Sequence, residues 1–500
     1  MNLLDQIIGY MAPRSALRRA QARHVLAYYE AAEASRLRKS RAARESANVS
    51  IERGGRSLRE QARYLEQNHD LARGILNDLV MKTVGPCGIT VEPQPRTVDG
   101  EIHDELAVQL LELFKDWSKT PEVTWQHDWP SAQRLLARSW FRDGEVFSQT
   151  IVGTVPLLDH GTVVPFSLEM LEADMVPIDY SRPPRITQGI EVSTWGRPEG
   201  YWVYLQPPGD LLAGSLMQGT NLKRIPATRM LHCKMVDRIR QLRGASVFAT
   251  ILTRLDDLKD YEESERIAAK VAASMAAAIK KGLPDDYAAP ATDTASRELK
   301  FRPGMIFDDL RPGEDVGLID TKRPNPNIEE FRKGQLRAAA AGLCTSYSSL
   351  SRDYHGTYSA QRQELVEQQG AYELLSALFI GQFVRPVWQR FVSAALVAGT
   401  VRQPADINPL SLAAASFRPP ALLWIDPLKE VQANAEAVNN RFASPQQVIR
   451  SRGGNPDDVL RQIADWQKQL DALGIAPAQP STPPQSDNAD ATVVSNPRRR

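Results

Sequence analysis

The chain has 500 residues, 42% of them hydrophobic, and its 61 Lys+Arg against 60 Asp+Glu leave a formal charge of +1. Five hundred residues exceed what one hydrophobic core serves, so two or more domains are expected. The charge balance excludes a protein that grips nucleic acid across its whole surface, for which a basic excess is needed.

Residues 1–56 form a basic N-terminal arm, with Arg14, Arg18, Arg19, Arg23, Arg36, Arg38, Lys39, Arg41 and Arg44. Such an arm is either a solvated helix or a contact for a partner or nucleic acid. The first residues hold only a short apolar run interrupted by Asp5, a poor leader. From 57 to 83, Leu58, Ala62, Leu65, Leu71, Ile75 and Leu79 recur at helical spacing. Gly85, Pro86 and Gly88 break that pattern, and GITVEPQP reads as a strand. Two more helices follow, DELAVQLLELFKDWSK and WPSAQRLLARSWFRDGE.

Between Val146 and Leu205 the period changes to two, and GRPEG supplies a turn inside GIEVSTWGRPEGYWVYLQ. Residues 57–243 therefore read as a mixed α/β domain. Tryptophans 117, 125, 129, 140, 195, 202 and 388 are expected in its core or on a helix that covers it.

From Phe248 to Lys281 there is no Gly or Pro, and apolar residues keep helical spacing. That predicts one helix of roughly 50 Å. Its second half, VAASMAAAIKK, is almost all small, which lets helices approach closely. Residues 283–326 are studded with Pro and Gly and suggest a small loop-and-strand module. Asn327 caps a second helix, IEEFRKGQLRAAAAGL, whose first turn holds Glu329 and Glu330. SRDYHGTYSAQRQEL then gathers Tyr, His, Asp and Arg before a third long helix, over 359–399, that Pro386 kinks or breaks. SPQQ and NPDD open helices with a cap and a Pro at the first helical position, within a compact helical cap over 404–470. Residues 471–500 are low in complexity and expected to be disordered.

The search for chemistry is brief. Three cysteines, Cys87, Cys233 and Cys344, have no CxxC spacing and suit a reducing compartment. There is no GxxxxGK[ST], GxGxxG, HExxH, EF-hand loop or GxSxG, and the seven histidines lack ligand spacing. The longest apolar stretches fall far below the roughly 20 residues of a membrane span. Asp143 and Glu145 in RDGEVF, and Asp174 and Asp179 nearby, read as turn acids rather than catalytic carboxylates. His355 with Tyr354, Tyr358, Asp353 and Ser359 could form a nucleophilic site, but Gly356 beside Thr357 favours a loop that meets a partner or a polymer.

Several segments together resemble the lambda-like portal protein family of tailed bacteriophages. RSLREQARYLEQNHDLARGILNDLVMKTVGPCGI is similar to the family's early helix and its VG-G-I exit. WPSAQRLLARSWFRDGEVF resembles its W…R-DGE-F segment, GIEVSTWGRPEGYWVYL its GIE…GRP-Y hairpin, and QLRGAS its Q-RG-S lead into the long helix. FRPGMIFDDLRPGEDV with RPNPNIEEF, and CTSYSSLSRDYHGTYSAQR, complete the order. Departures are Thr357 for the usual Asn, Ala360 for the second Ser, and MVDRIR before the RG.

The resemblance implies an α+β, predominantly helical portal fold assembled as a ring, usually of twelve copies. Its parts would be an α/β wing at 57–243, a long stem helix at 244–282, a clip at 283–326 and a second stem helix at 327–344. A tunnel loop at 345–358, a wing-spanning helix at 359–403 and a helical crown at 404–470 would follow. It implies no enzyme, cofactor, metal or membrane. The partners would be double-stranded DNA in the channel, the large terminase, the major capsid protein or scaffold, and the head–tail connector. The site would be the portal vertex of the virion, with assembly in the host cytoplasm. Implied channel residues are Arg352, Tyr354, His355 and Tyr358; implied stem residues are Lys270, Lys280, Lys281, Arg332 and Lys333; implied clip contacts to terminase are Arg302, Arg311 and Glu314. The other reading is a head–tail adaptor or capsid assembly protein without a DNA channel.

Overall fold

A computed structural model describes residues 45–209, 221–273, 277–281, 314–318, 327–420 and 427–473. The arm up to residue 44, Arg302 and Arg311, and the tail beyond 473 lie outside the described residues.

The chain begins with α1 (Ala47–Asn68), capped by the Ser46 side chain, and α2 (Asp70–Thr83). The first helix thus starts ten residues earlier than expected, taking the end of the supposed arm into the fold. β1 (Thr90–Pro93), α3 (Asp104–Trp117) and α4 (Trp129–Asp143) follow. Asp128 caps α4, Pro130 fills its first turn and Gly144 ends it at φ 84°.

The strands come next. β2 (Glu145–Val152), β3 (Phe166–Leu171), β4 (Ile186–Thr187), β5 (Ile190–Val192), β6 (Pro198–Tyr204), β7 (Leu222–Pro226) and β8 (Met230–Lys234) form two antiparallel sheets, ordered β3-β2-β8 and β4-β5-β6-β7. A small core lies between them, around Phe147, Ile190, Tyr201, Val203 and Met230.

The long helix is shorter than its pattern predicts. α5 runs Leu252–Ala273, and β9 (Ala277–Lys281) is a strand paired with β10 (Glu314–Leu318). Alanine favours helix, but five residues in register with a partner strand override a propensity worth tenths of a kcal/mol each. The register sets Lys281 opposite Glu314 and Lys280 opposite Asp315. Lys280, Lys281 and Glu314 therefore belong to one two-stranded ribbon, not to a stem helix and a separate module.

α6 (Ile328–Gly342) returns as predicted, with Asn327 at its N-cap position but making no side-chain capping bond. The stretch after it is not a continuous loop, because α7 (Tyr347–Ser351) interrupts it. α8 (Tyr358–Phe379) continues through a π-helical turn, Ile380–Val384, into α9 (Arg385–Val397). Pro386 does not break the path, which stays helical on both sides of it. It follows directly on the π-turn, where Arg385 N–H donates to Ile380 O; the widened turn takes up the ring clash that a proline otherwise causes.

β11 (Ala415–Arg418) pairs with β1, and α10 (Pro427–Asn439), α11 (Pro445–Ser451) and α12 (Pro456–Ala472) complete the order. Ser444 and Gln447 make a capping box, and Asn455 caps α12, as SPQQ and NPDD predict. The expected compact helical cap is not all helix, since β11 belongs to a sheet with β1. Nor is it compact, since every residue of α12 from Leu460 to Gln469 is exposed.

One aromatic core joins these parts. Phe114, Trp117, Trp129, Phe166, Phe383, Trp388 and Phe391 pack ring to ring at centroid distances of 5.1–6.3 Å. Trp117 Nε1 donates to Phe166 O, and Trp388 Nε1 to Ala413 O. Trp140 is also buried, but Trp125 and Trp195 are exposed, contrary to the expectation that they sit in the core. Trp195 lies in the β5–β6 turn, where nothing packs over a tip of this kind.

Among the described residues no helix is long and apolar enough to cross a membrane.

Candidate functional site

Two features organise the molecule around α5 and α6. The first is a buried ionic cluster where the α/β domain hands over to α5. Glu145 opens β2 with no exposed surface, and Arg243, equally buried, donates from Nε to both its oxygens at 2.8 and 2.9 Å. Gly244 N donates to Glu145 Oε2 at 3.0 Å, and His232 Nε2 lies 3.0 Å from the same oxygen. The rest of the Arg243 guanidinium donates to Gln188 O and Ala173 O. Beside it, Asp143 is held by Arg63 and Arg142, and Asp174 by Arg59 and Arg63. Although Arg59 Nε has no partner, a buried network so extensively bonded favours one arrangement of the chain.

The backbones also meet there. Met235 N donates to Gly144 O at 2.8 Å, and Ala245 N to Met235 O at 3.1 Å. A Cβ on Gly144 would stand 2.2 Å from the Ala245 carbonyl carbon, and one on Gly244 2.0 Å from Gly144 O. RDGE and QLRGAS are thus two halves of one clamp that sets the direction in which α5 leaves. Asp143 and Glu145 are neither ordinary turn acids nor free catalytic carboxylates. Asp179 is exposed and makes no ion pair with the cluster.

Burial opposes charge on Glu145, yet Arg243 and His232 outweigh it and hold the carboxyl well below its usual range. Burial pushes His232 down from 6.5 to about 4, against the pull of Glu145 and with Lys234 and Arg243 adding to the shift. The folded state thus refuses a proton that the unfolded chain takes up below pH 6.5. Stability present above that pH is lost as pH falls through about 4, by up to about 3 kcal/mol. Urea midpoints measured from pH 7 to pH 4 should fall across this window, and His232→Gln should flatten the fall.

The second feature is the stretch expected to face a channel. Cys344 and Arg352 both adopt left-handed backbone, φ 53° and 57°, and bracket α7. That short helix is docked, not free. Thr345 Oγ1 lies 2.8 Å from Tyr372 Oη, Tyr372 donates to Asp78 Oδ2 at 3.0 Å, and Gln368 and Glu364 accept from Ser346 N and Ser348 N. Burial raises the Tyr372 hydroxyl well above its ordinary value, so it stays a donor. Residues 343–346 and 352–357 lie outside the helices on either side of α7. In the second of these stretches His355 is 98% exposed with Asp353 Oδ1 at 3.5 Å, and Tyr354 is exposed, whereas Asp353 is half-buried and accepts from Tyr347 Oη at 3.1 Å.

Arg352, expected to meet phosphate, already faces an acid: Nη2 is 3.5 Å from Asp78 Oδ1, with the side chain 62% exposed. Tyr358 opens α8, but its side chain lies outside the described residues. Asp78 and Tyr372 escaped the sequence reading because each sits inside an ordinary amphipathic helix, and only the fold brings them under the loop.

Of the seven cations on α5 and α6, Arg266, Arg332 and Lys333 face an acid. Arg332 Nε is 2.6 Å from Glu262 on α5, Lys333 Nζ 2.6 Å from Glu329, and Arg254 donates to Gln335. Lys270 is exposed near the end of α5. Tyr261 and Phe331 meet across the pair with ring centroids 4.9 Å apart and planes tilted by 58°. The expected stem residues are therefore not gathered in one place: Arg332 and Lys333 are on α6, Lys270 on α5, Lys280 and Lys281 on β9.

The model of the phage portal protein family, lambda family, matches residues 33–375. The probable portal protein of Halomonas phage phiHAP-1 is 24% identical over 438 residues, covering 84% of this chain and 81% of that one. Portal protein B of Escherichia phage lambda is 25% identical over 273 residues, 47% of this chain and 50% of its own. Among solved structures, a chain from the virion of a native gene transfer agent particle aligns over 92% of this chain and 99% of its own, at 14% identity and a TM-score of 0.40.

Proposed function

This chain belongs to the lambda family of phage portal proteins and functions as a portal protein, and from that premise we propose that its copies form a ring, twelve in number, around a passage for double-stranded DNA at one capsid vertex. The helices α5 and α6 would stand around the axis as the stem. The ribbon β9–β10 at their far end would be the surface offered to the large terminase during packaging and to the head–tail connector afterwards. The major capsid protein or scaffold would hold the wing, and assembly would take place in the host cytoplasm.

The observation that carries the reading is the pairing of stem cations. Arg332 and Lys333 face Glu262 and Glu329 within 2.6 Å, and the chain as a whole is near neutral. A duplex carries a charge every ~1.7 Å, so a wall of free cations would hold it. A wall in which part of the cations is neutralised holds it less tightly. Arg352 at the loop would be the collar, its attraction for phosphate damped by Asp78.

Native mass spectrometry of the purified assembly tests the ring. The expected result is a mass of twelve chains of 55.6 kDa each. Monomers and dimers alone, including after release from particles, would sink the proposal.

A further inference from the structure

We infer that the basic arm turns back along α1 and seats residues 36–41, with Leu37 as the anchor, in a cleft of its own α/β domain. Two hollows of about 640 and 340 Å³ adjoin there, with Arg63, Asp174 and Pro208 in the wall of both. Cavities of roughly 300–1,000 Å³ are the ordinary size for a bound group. The larger hollow has an apolar wall that includes Leu135, Met170, Met175 and Leu205, of which Leu135 is 43% and Leu205 56% exposed. Adjacent apolar surface left open in this way marks a contact site.

Charge selects the occupant. The walls of the two hollows hold six acids, Glu60, Glu122, Glu169, Glu172, Asp174 and Asp179, against three arginines on α1. Glu172 and Asp179 are exposed. Residues 36–44, RLRKSRAAR, carry five cations and no acid, with Leu37 among them. Opposite charge sets the register of such a contact, and the leucine supplies its apolar part. Residues 210–220, which follow the rim residue Gly209, hold Asp210 and no cation, so they would add to the acid excess.

The path is short. Arg53, Arg56, Glu60 and Arg63 follow one another at steps of three and four on one face of α1. Glu45, where the arm joins the described chain, pairs with Arg53 on that face, and its carbonyl accepts from Arg238 at 3.0 Å. Arg56 and Arg63 stand about 14 and 24 Å along the axis from Ala47. Extended chain covers that in about four to eight residues, which brings 37–41 beside the cleft. Seated there, these cations face acids of their own chain and no longer compete for phosphate. The contact lies within one chain, so it neither needs the ring nor follows from it.

The test uses the full chain with the exposed Cys87 and Cys344 changed to serine. Leu37→Cys is combined with Leu135→Cys in the cleft or with Lys270→Cys at the exposed end of α5, and a short bismaleimide is added. Peptide mapping should find about tenfold more linkage of 37 to 135 than of 37 to 270, within single chains, and high salt should reduce it. Equal linkage or none at 135 would overturn the inference. So would linkage of 37 to 135 only in covalent dimers, which gives the cleft to a neighbour's arm, or Leu216→Cys linking to 135 in place of 37. Trypsin supplies a second measurement on the parent chain. Cleavage after Arg36, Arg38 and Lys39 should be slower than after Arg18, Arg19 and Arg23, and Leu135→Asp should abolish the difference; equal rates in the parent, or protection that Leu135→Asp leaves intact, would overturn it. The native mass of the same samples reads the ring separately.

Discussion

Glu145→Ala should cost about 3–5 kcal/mol of folding free energy, the loss seen when one partner of a buried pair is removed and the other is left uncompensated. Arg243, with no exposed surface and its Nε bonded to both carboxylate oxygens, has no water to turn to. Against a total stability of about 5–15 kcal/mol, that is enough to unfold much of the population. Gly144→Ala should be as damaging for a different reason: its Cβ would press on main chain, the Ala245 carbonyl carbon 2.2 Å away, and no side-chain rotation relieves that. Trp195→Ala, on an exposed turn, should leave stability within about 0.5 kcal/mol of the parent. Urea unfolding followed by circular dichroism measures all three. A Glu145→Ala loss under about 1 kcal/mol would show that the cluster does not hold the start of α5.

The second large effect concerns DNA. Replacing 353–356 with a glycine-serine linker of equal length, together with Arg352→Gln, should leave rings assembled. It should lower the yield of particles retaining full-length genome by about tenfold or more, since the exposed collar of charge and rings is gone. The expectation of intact rings has a structural basis. Thr357, which caps α8, is kept, and so are Thr345, Tyr372, Asp78 and Gln368, which anchor α7 to α2 and α8. DNase-protected genome per particle and ring mass would be measured on the same preparations. Undiminished genome content would remove the collar from these residues; absent rings would make them structural.

Much of this architecture can be read in the sequence where local and global preferences agree. Period-two patterning located β2, β3 and β6, and caps with a following proline located α11 and α12, because those signals act within a few residues. The failures come where distant partners decide. Residues 277–281 carry a helical composition, and only the pairing with 314–318 makes them a strand. Trp125 and Trp195 look like core by type, yet they lie outside regular structure where the chain turns at the surface. The ionic clamp was the least visible feature. Its acids and arginines lie 98 residues apart for Glu145 and Arg243, and 80 for Arg63 and Asp143. In the candidate channel segment the residue types drew attention to Arg352 and His355, but Asp78, which restrains the arginine, sits 274 positions earlier in the chain than its partner.

The π-turn at Ile380–Val384 has a consequence for how this rod tolerates change in length. Its buried side chains, Ser376, Ile380, Val384, Trp388 and Val392, advance in steps of four, and each such step overshoots an α-helical revolution by about 40°. Left uncorrected, the sticky side would spiral away from the aromatic core before reaching Trp388. The extra residue acts as a vernier, resetting the phase midway so that both halves address the same wall. Removing Gly381 would let the widened turn close to an ordinary α-helical one and leave the downstream side chains on the same wall, whereas the same deletion in the regular helix on either side would turn them by about 100°, which makes this turn the place where the rod can lose a residue and keep its aim.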